Sequence, residues 1–225
     1  IINFNPNWSF AKDCADINAI CENCEVVNLP HSWNAVDGQD GGNDYFRGTC
    51  IYTKSLAKNE LPEYGKCFIE IRGANSSADL YLNGKKLAHH DGGYSTWRVD
   101  LTNDLEESNV ISIAVDNAPN ETVYPQMADF TFYGGLYRDV NLICVPEAHF
   151  DLEYYGAPGI AITPTVNGEN ASVAVEAYVK GVSGSEIYRF TICDKEGNLL
   201  EVKESDKPQA QFEILGVRKW HGRKD

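Results

Sequence analysis

Ala78-Asp79-Leu80-Tyr81-Leu82-Asn83-Gly84-Lys85-Lys86-Leu87-Ala88-His89 decides the fold class. Two strand-like runs, 78–82 and 85–89, flank Asn-Gly, the dipeptide that most readily supplies the two φ > 0 residues of a tight hairpin turn. Upstream, Lys66-Cys67-Phe68-Ile69-Glu70-Ile71-Arg72 shows the same two-residue period. Downstream, strands are predicted over 96–101, 109–115 and 137–145, the last placing Val140, Leu142 and Cys144 on one face. Beyond Pro146 the pattern predicts strands at 171–179, 186–193, 199–203 and 209–214, with turns such as Glu196-Gly197-Asn198 between them. No long stretch carries the 3.6-residue period of an amphipathic helix. Two successive blocks of short antiparallel strands describe an all-β chain of two sandwiches, not a βαβ fold. The division falls between residues 1–147 and 148–225.

The chain has 225 residues and a mass of 25.0 kDa, enough for a substantial core. Apolar residues make up 43% and charged residues 23%, an ordinary soluble composition. A net charge of −14 without basic runs argues against nucleic acid and anionic membrane surfaces as partners, and no apolar run is long enough to span a bilayer. The acid is concentrated early: residues 1–147 carry 10 basic and 21 acidic side chains, against 9 and 12 in the remainder. Such a surface suits an uncharged ligand better than an acidic one. The first residues, Ile1-Ile2-Asn3-Phe4-Asn5-Pro6, lack the layout of a signal peptide. The seven cysteines are odd in number and irregularly spaced, and Cys21-Glu22-Asn23-Cys24 has no second pair to complete a zinc site. Ordinary reduced thiols in a cytoplasmic setting are expected.

Two long aromatic, turn-rich stretches, 28–48 and 117–135, interrupt the first block, and loops of that length usually carry function. Asp37 to Asp44 is Gly-rich, but it lacks the lysine of a phosphate loop and the spacing of a calcium loop. No G-x-S-x-G elbow is present, and His31 reads as a hydrogen-bonded structural residue. Tyr45, Phe46, Tyr124, Phe130, Phe132 and Tyr133 lie in the loops beside Arg47 and Asp129. Rings to stack on a C–H face and charged groups to bind hydroxyls suit a neutral polyhydroxylated ligand.

Four segments then occur in order: Asn28-Leu29-Pro30-His31-Ser32-Trp33-Asn34; His90-Asp91-Gly92-Gly93-Tyr94-Ser95-Thr96-Trp97; Val115-Asp116-Asn117; and Asp129-Phe130-Thr131-Phe132-Tyr133-Gly134-Gly135-Leu136-Tyr137-Arg138-Asp139-Val140. The set resembles the amino-terminal sugar-binding domain of glycoside hydrolase family 2, most closely its β-galactosidase-like members. Residues 148–225 resemble the immunoglobulin-like domain that follows it. The resemblance implies a jelly-roll-like, galactose-binding-type sandwich followed by a truncated immunoglobulin-like one. In that family a retaining hydrolysis uses two glutamates whose carboxyls stand ~5–5.5 Å apart, both from a TIM barrel further along the chain. No catalytic residue is therefore assigned here, and Asn120-Glu121, in a sandwich loop, is not taken for the family's acid/base pair. The chain is expected to be inactive alone.

What the resemblance implies for this sequence is a contribution to the roof of the sugar pocket. Asp129, nine residues before Arg138, takes the position of the acid that contacts the sugar or its cation. Arg47 and Tyr45 fall in the loop of a second sugar contact. Arg138 and Asp139 are expected to form an ion pair at the start of a strand, and Gly134 and Gly135 to supply backbone with φ > 0. No cofactor or metal is assigned to the chain itself, a monovalent or magnesium ion being allowed in the complete enzyme. The expected partner is a neutral β-galactoside, and the parent enzyme is expected to be a homo-oligomer. A β-glucuronidase or β-mannosidase parent, an independent carbohydrate-binding module and a purely structural segment stand as alternatives. The chain ends five residues after Trp220, before the family's last strand, so the strand at Gln209–Ile214 is expected to present an unpaired edge.

Overall fold

A computed structural model describes residues 1–17, 24–37, 45–123, 131–220 and 222. It divides into two compact units, Ile1–Pro146 and Glu147–Asp225. Unit 1 contains β1 (Ile2–Asn3), β2 (Trp8–Ala11), β3 (Glu25–Val27), β4 (Thr49–Ala57), β5 (Lys66–Ile71), β6 (Ser77–Leu82), β7 (Lys85–Asp91), β8 (Trp97–Asp100), β9 (Ser108–Asp116) and β10 (Val140–Val145). Among the described residues a 3-10 turn at Lys58–Glu60 follows β4.

The strands of unit 1 form a four-stranded sheet, β1-β10-β5-β8, and a six-stranded sheet, β3-β2-β4-β9-β6-β7. Every pairing within them is antiparallel. Alternation aims one side-chain set of each strand at the facing sheet. From the larger sheet come Trp8, Phe10, Tyr52, Leu80, Leu82, Ile111, Ile113 and Val115; from the smaller come Ile69, Ile71, Trp97, Val140 and Leu142, all in one buried cluster. Burying each such side chain contributes roughly 1.5–3 kcal/mol. The hairpin turn is built as its sequence demands, with Asn83 at φ 53° and Gly84 at φ 79°, the twisted conformation that matches the flanking strands.

The face of β5 turned away from this cluster holds a charged network. Glu70, 2% exposed, accepts from Arg98 Nε at 2.7 Å, Arg72 Nε at 2.8 Å and Asn141 Nδ2 at 3.0 Å. Burial would raise the Glu70 pKa, but these hydrogen bonds outweigh it and hold the carboxyl below its ordinary range.

Unit 2 contains β11 (His149–Phe150), β12 (Ile160–Asn167), β13 (Asn170–Ala177), β14 (Val179–Lys180), β15 (Tyr188–Cys193), β16 (Leu199–Ser205) and β17 (Gln209–Ile214). Its sheets are β12-β13-β17, β15-β16 and β11-β14. Ala171, Val173, Ala177 and Phe212 are its buried apolar residues among those described, while Ile162, Ile187, Leu199 and Leu200 are exposed. A cleft of about 440 Å³ opens between residues of the two larger sheets, with Val173 and Phe212 on one side and Phe190 and Ile192 on the other. Among the described residues β17 pairs with β13 alone.

Among the described cysteines, one departs from expectation. Cys14, Cys50, Cys67, Cys144 and Cys193 are free, but Cys24 is disulfide-bonded. It lies in a C-x-x-C, a spacing at which two thiols can meet across one turn; Cys21 is outside the described residues.

Candidate functional site

At one end of the unit 1 sandwich, two fully buried asparagines tie the long loops together. Asn34 and Asn117 are both 0% exposed. Asn117 donates from Nδ2 to Asn34 Oδ1 at 3.1 Å and to the Phe132 carbonyl at 3.1 Å. Its own Oδ1 accepts from the Gly48 N–H at 2.9 Å. Asn34 Oδ1 also accepts from the Gly134 N–H at 2.8 Å, and its Nδ2 donates to the Phe46 carbonyl at 2.9 Å and to Asp37 Oδ1 at 3.1 Å. Buried polar groups persist only when so satisfied, and here the partners come from the loops around residues 34, 46, 117 and 132. Asp37 accepts in addition from the Phe46 N–H at 3.2 Å and pairs with Lys12 at 3.6 Å. Partial burial alone would raise the Asp37 pKa; these partners together lower it.

The frame also holds aromatic side chains and the Arg47 guanidinium. Arg47 Nε donates to the Asn117 carbonyl at 2.8 Å. Its guanidinium carbon lies 5.9 Å from the centre of the Tyr45 ring and 5.7 Å from that of Phe132, within cation–π range of both. The Phe132 N–H donates to the Tyr45 hydroxyl at 3.1 Å. Tyr45 and Arg47 are thus neighbours beside Phe132. Asp129 lies outside the described residues, as do Tyr124 and Phe130.

An open cleft of about 470 Å³ adjoins these loops, lined by Ser32, Asn75, Tyr94, Thr131, Phe132, Tyr133 and Tyr137. Asn75 braces it by donating from Nδ2 to the Tyr133 carbonyl at 2.7 Å, and the Tyr137 hydroxyl donates to the Gly93 carbonyl. Gly93 leaves no room for a side chain, since an added Cβ would stand 2.3 Å from Asn75 Oδ1. The lining is aromatic with a few amide and hydroxyl groups, as in small-molecule pockets generally. Sequence reasoning placed Tyr133 in a loop but gave no role to Asn75 or Tyr94, because only the closure of distant segments makes them neighbours.

His31 is structural, as read. Its Nδ1 shares a 2.8 Å hydrogen bond with the Tyr52 hydroxyl, and its ring meets Phe10 edge-on. Burial lowers its pKa, with Glu25 opposing. Two expectations need correction. Arg138 and Asp139 form no ion pair: Asp139 faces Arg72 at 3.8 Å and accepts from Asn5 Nδ2 at 2.8 Å, while the exposed Arg138 donates to the Tyr94 carbonyl at 2.9 Å. Both residues precede β10, and each takes its partners from other segments. Of the two glycines, only Gly135 has positive φ, at 127°. Gly134 is required for space, because a Cβ there would lie 2.0 Å from Trp33 Cζ2.

A two-sheet antiparallel sandwich with an aromatic, amide-braced cleft in its loops defines a galactose-binding-like domain. Residues 44–144 match the family model described as "Glycosyl hydrolase 2 galactose-binding domain-like". The chain is 29% identical over 204 residues to a β-glucuronidase of Bacteroides fragilis, covering 89% of this chain and 29% of that protein. It is 26% identical over 233 residues to a β-galactosidase of Thermoanaerobacter pseudethanolicus, covering 96% and 30%. The structure of an FMN-binding β-glucuronidase from Facaelibacterium prausnitzii L2-6 superposes with a TM-score of 0.85 at 36% identity, over 97% of this chain and 34% of that one. The chain belongs to glycoside hydrolase family 2 and spans about a third of the length of these relatives.

Proposed function

We propose that this chain is the non-catalytic amino-terminal part of a retaining β-glycosidase and that its loops complete the sugar pocket of a catalytic barrel elsewhere in the parent polypeptide. The observation that carries the reading is the Asn34–Asn117 frame, which fixes Tyr45, Arg47 and Phe132 at one end of the sandwich. In these loops the Arg47 guanidinium lies within cation–π range of two rings, and it is a group able to donate to sugar hydroxyls. The acid and the nucleophile come from outside the chain, and these residues bind and orient. Asp129 is assigned to the sugar or its associated cation, Arg47 and Tyr45 to a second contact. No cofactor is assigned to the chain itself; a monovalent or magnesium ion is allowed only in the complete enzyme.

The substrate proposed is a neutral β-galactoside, since the excess of acidic over basic side chains in residues 1–147 disfavours an anionic one. A β-glucuronide is the second reading, supported by the names of the Bacteroides and Facaelibacterium relatives. Hydrolysis of matched aryl β-galactosides and β-glucuronides by the complete parent protein separates the two. In that protein Asp129→Ala should lower kcat/KM by roughly 10- to 150-fold, the effect of losing one charged hydrogen bond worth about 1.5–3 kcal/mol, with the thermal midpoint unchanged. Unaltered kcat/KM on every glycoside cleaved would remove Asp129 from the pocket.

A further inference from the structure

Cys67 and Cys144 lie in the core-facing rows of β5 and β10, directly opposite each other in the antiparallel register. The Cys67 N–H donates to Thr102 Oγ1 at 3.0 Å and its carbonyl accepts from the Leu101 N–H at 2.8 Å. Both backbone groups of Cys67 are therefore committed on the side away from β10, and the cysteines form a non-hydrogen-bonded cross-strand pair. In such pairs the Cα atoms approach to about 4.5 Å, inside the roughly 4.4–6.8 Å window of a disulfide. The sulfurs already stand 3.8 Å apart, the Cys144 thiol donating to Cys67. Closing that gap to a bond of ~2.05 Å requires side-chain rotation and no new backbone arrangement.

We propose that Cys67 and Cys144 are an oxidisable pair that a small-molecule disulfide converts to a cross-strand disulfide, clamping β5 to β10. Cys67 is fully buried, whereas Cys144 is partly exposed, so the order of events is set. The Cys144 thiolate attacks the reagent disulfide, forms a mixed disulfide and releases one reagent thiol. The Cys67 thiolate then attacks the Cys144 sulfur and expels the second reagent thiol. Two thiols are oxidised, one reagent disulfide is reduced to two thiols, and two protons leave the protein.

The second step is slow at neutral pH and has a distinctive pH dependence. Burial, with Cys144 and Asp100 adding to it, pushes the Cys67 thiol up to about 12. The other titratable neighbours are Tyr64, whose own pKa is raised by burial and by Cys67, Cys144 and Glu107, and Lys66, which neutralises Asp100 across 3.4 Å. Well below its pKa the thiolate fraction of Cys67 rises about tenfold per pH unit, and the rate follows it.

The test is native chain carrying Cys14→Ser and Cys193→Ser, incubated with glutathione disulfide and followed by peptide mapping under non-reducing conditions. The expected product is a Cys67–Cys144 link with loss of two titratable thiols, forming about tenfold faster at pH 8.5 than at pH 7.5 and raising the thermal midpoint. Cys67→Ala should stop at the glutathione adduct of Cys144, and Cys144→Ser should not react at Cys67. A Cys144 adduct that persists at pH 8.5 in the chain with both cysteines and never passes on to the link would overturn the proposal, and so would a link that forms only after unfolding.

Discussion

Asn34 is the residue on which the candidate site most depends. Replacing it by alanine removes the acceptor of the Gly134 N–H and one of the acceptors of the Asn117 amide, both buried, at about 1–3 kcal/mol each. Asn34→Ala should therefore lower the stability of unit 1 by roughly 2–5 kcal/mol, read as a lower midpoint in urea unfolding. Glu70 gives a second prediction, with a sign fixed by linkage. Its folded-state pKa is depressed, so its stabilisation is complete above the unfolded carboxyl value and is lost as pH falls through the folded one. Glu70→Gln removes the buried carboxylate that Arg98, only 11% exposed in its side chain, shares with Arg72, which costs about 3–5 kcal/mol at neutral pH. The stability gap between wild type and variant, measured by urea unfolding, should narrow steadily below about pH 4.5, near the unfolded value of the carboxyl. A gap constant down to pH 3 would deny the ion-paired state of Glu70. Neither role is written in the local sequence. Asn34 and Asn117 look like turn formers, and a separation of 83 residues hides their contact.

At the scale of elements, the strands bounded by strong turn signals were legible and the others were not. Asn83-Gly84 located β6 and β7, while Ile111, Ile113 and Val115 announced β9 by their period. The nine-residue β4 escaped, although it lies between β2 and β9 in the larger sheet. Cys50, Ile51 and Tyr52 are buried in succession, so both faces are covered there and the alternation disappears. In β12 the signal was masked by Pro164; the strand is at the edge of its sheet, where a missing N–H is tolerated. β2 is only four residues long and stands between turns. The hairpin supports a prediction of its own. At Gly84, φ 79° strains any L-residue, so Gly84→Ala should cost about 1–2 kcal/mol. Asn83→Ala should add the loss of the 2.8 Å bond its Oδ1 accepts from the Val110 N–H, and urea unfolding of the two variants measures both effects.

Across the whole molecule, the two units differ in how much core they own. Unit 1 encloses a continuous cluster fed by both sheets, whereas unit 2 buries four apolar residues among those described and leaves Ile162, Ile187, Leu199 and Leu200 in solvent. Urea unfolding of the chain should therefore resolve a weak transition of unit 2 before that of unit 1, with the fluorescence of the buried Trp8, Trp33 and Trp97 reporting the second. The family resemblance was legible because its segments occur in order along the chain; the sugar it serves was not, because charge balance constrains a ligand far less than pocket geometry does. The account rests on the claim that this chain contributes binding without chemistry. The most direct test is to assay the purified 225-residue chain beside its complete parent protein on 4-nitrophenyl β-galactoside and β-glucuronide, both produced in a host lacking these activities. The account predicts release of nitrophenol by the parent and none above blank by the chain. Turnover by the chain that persists through repurification and disappears on mutating one of its own carboxylates would contradict it.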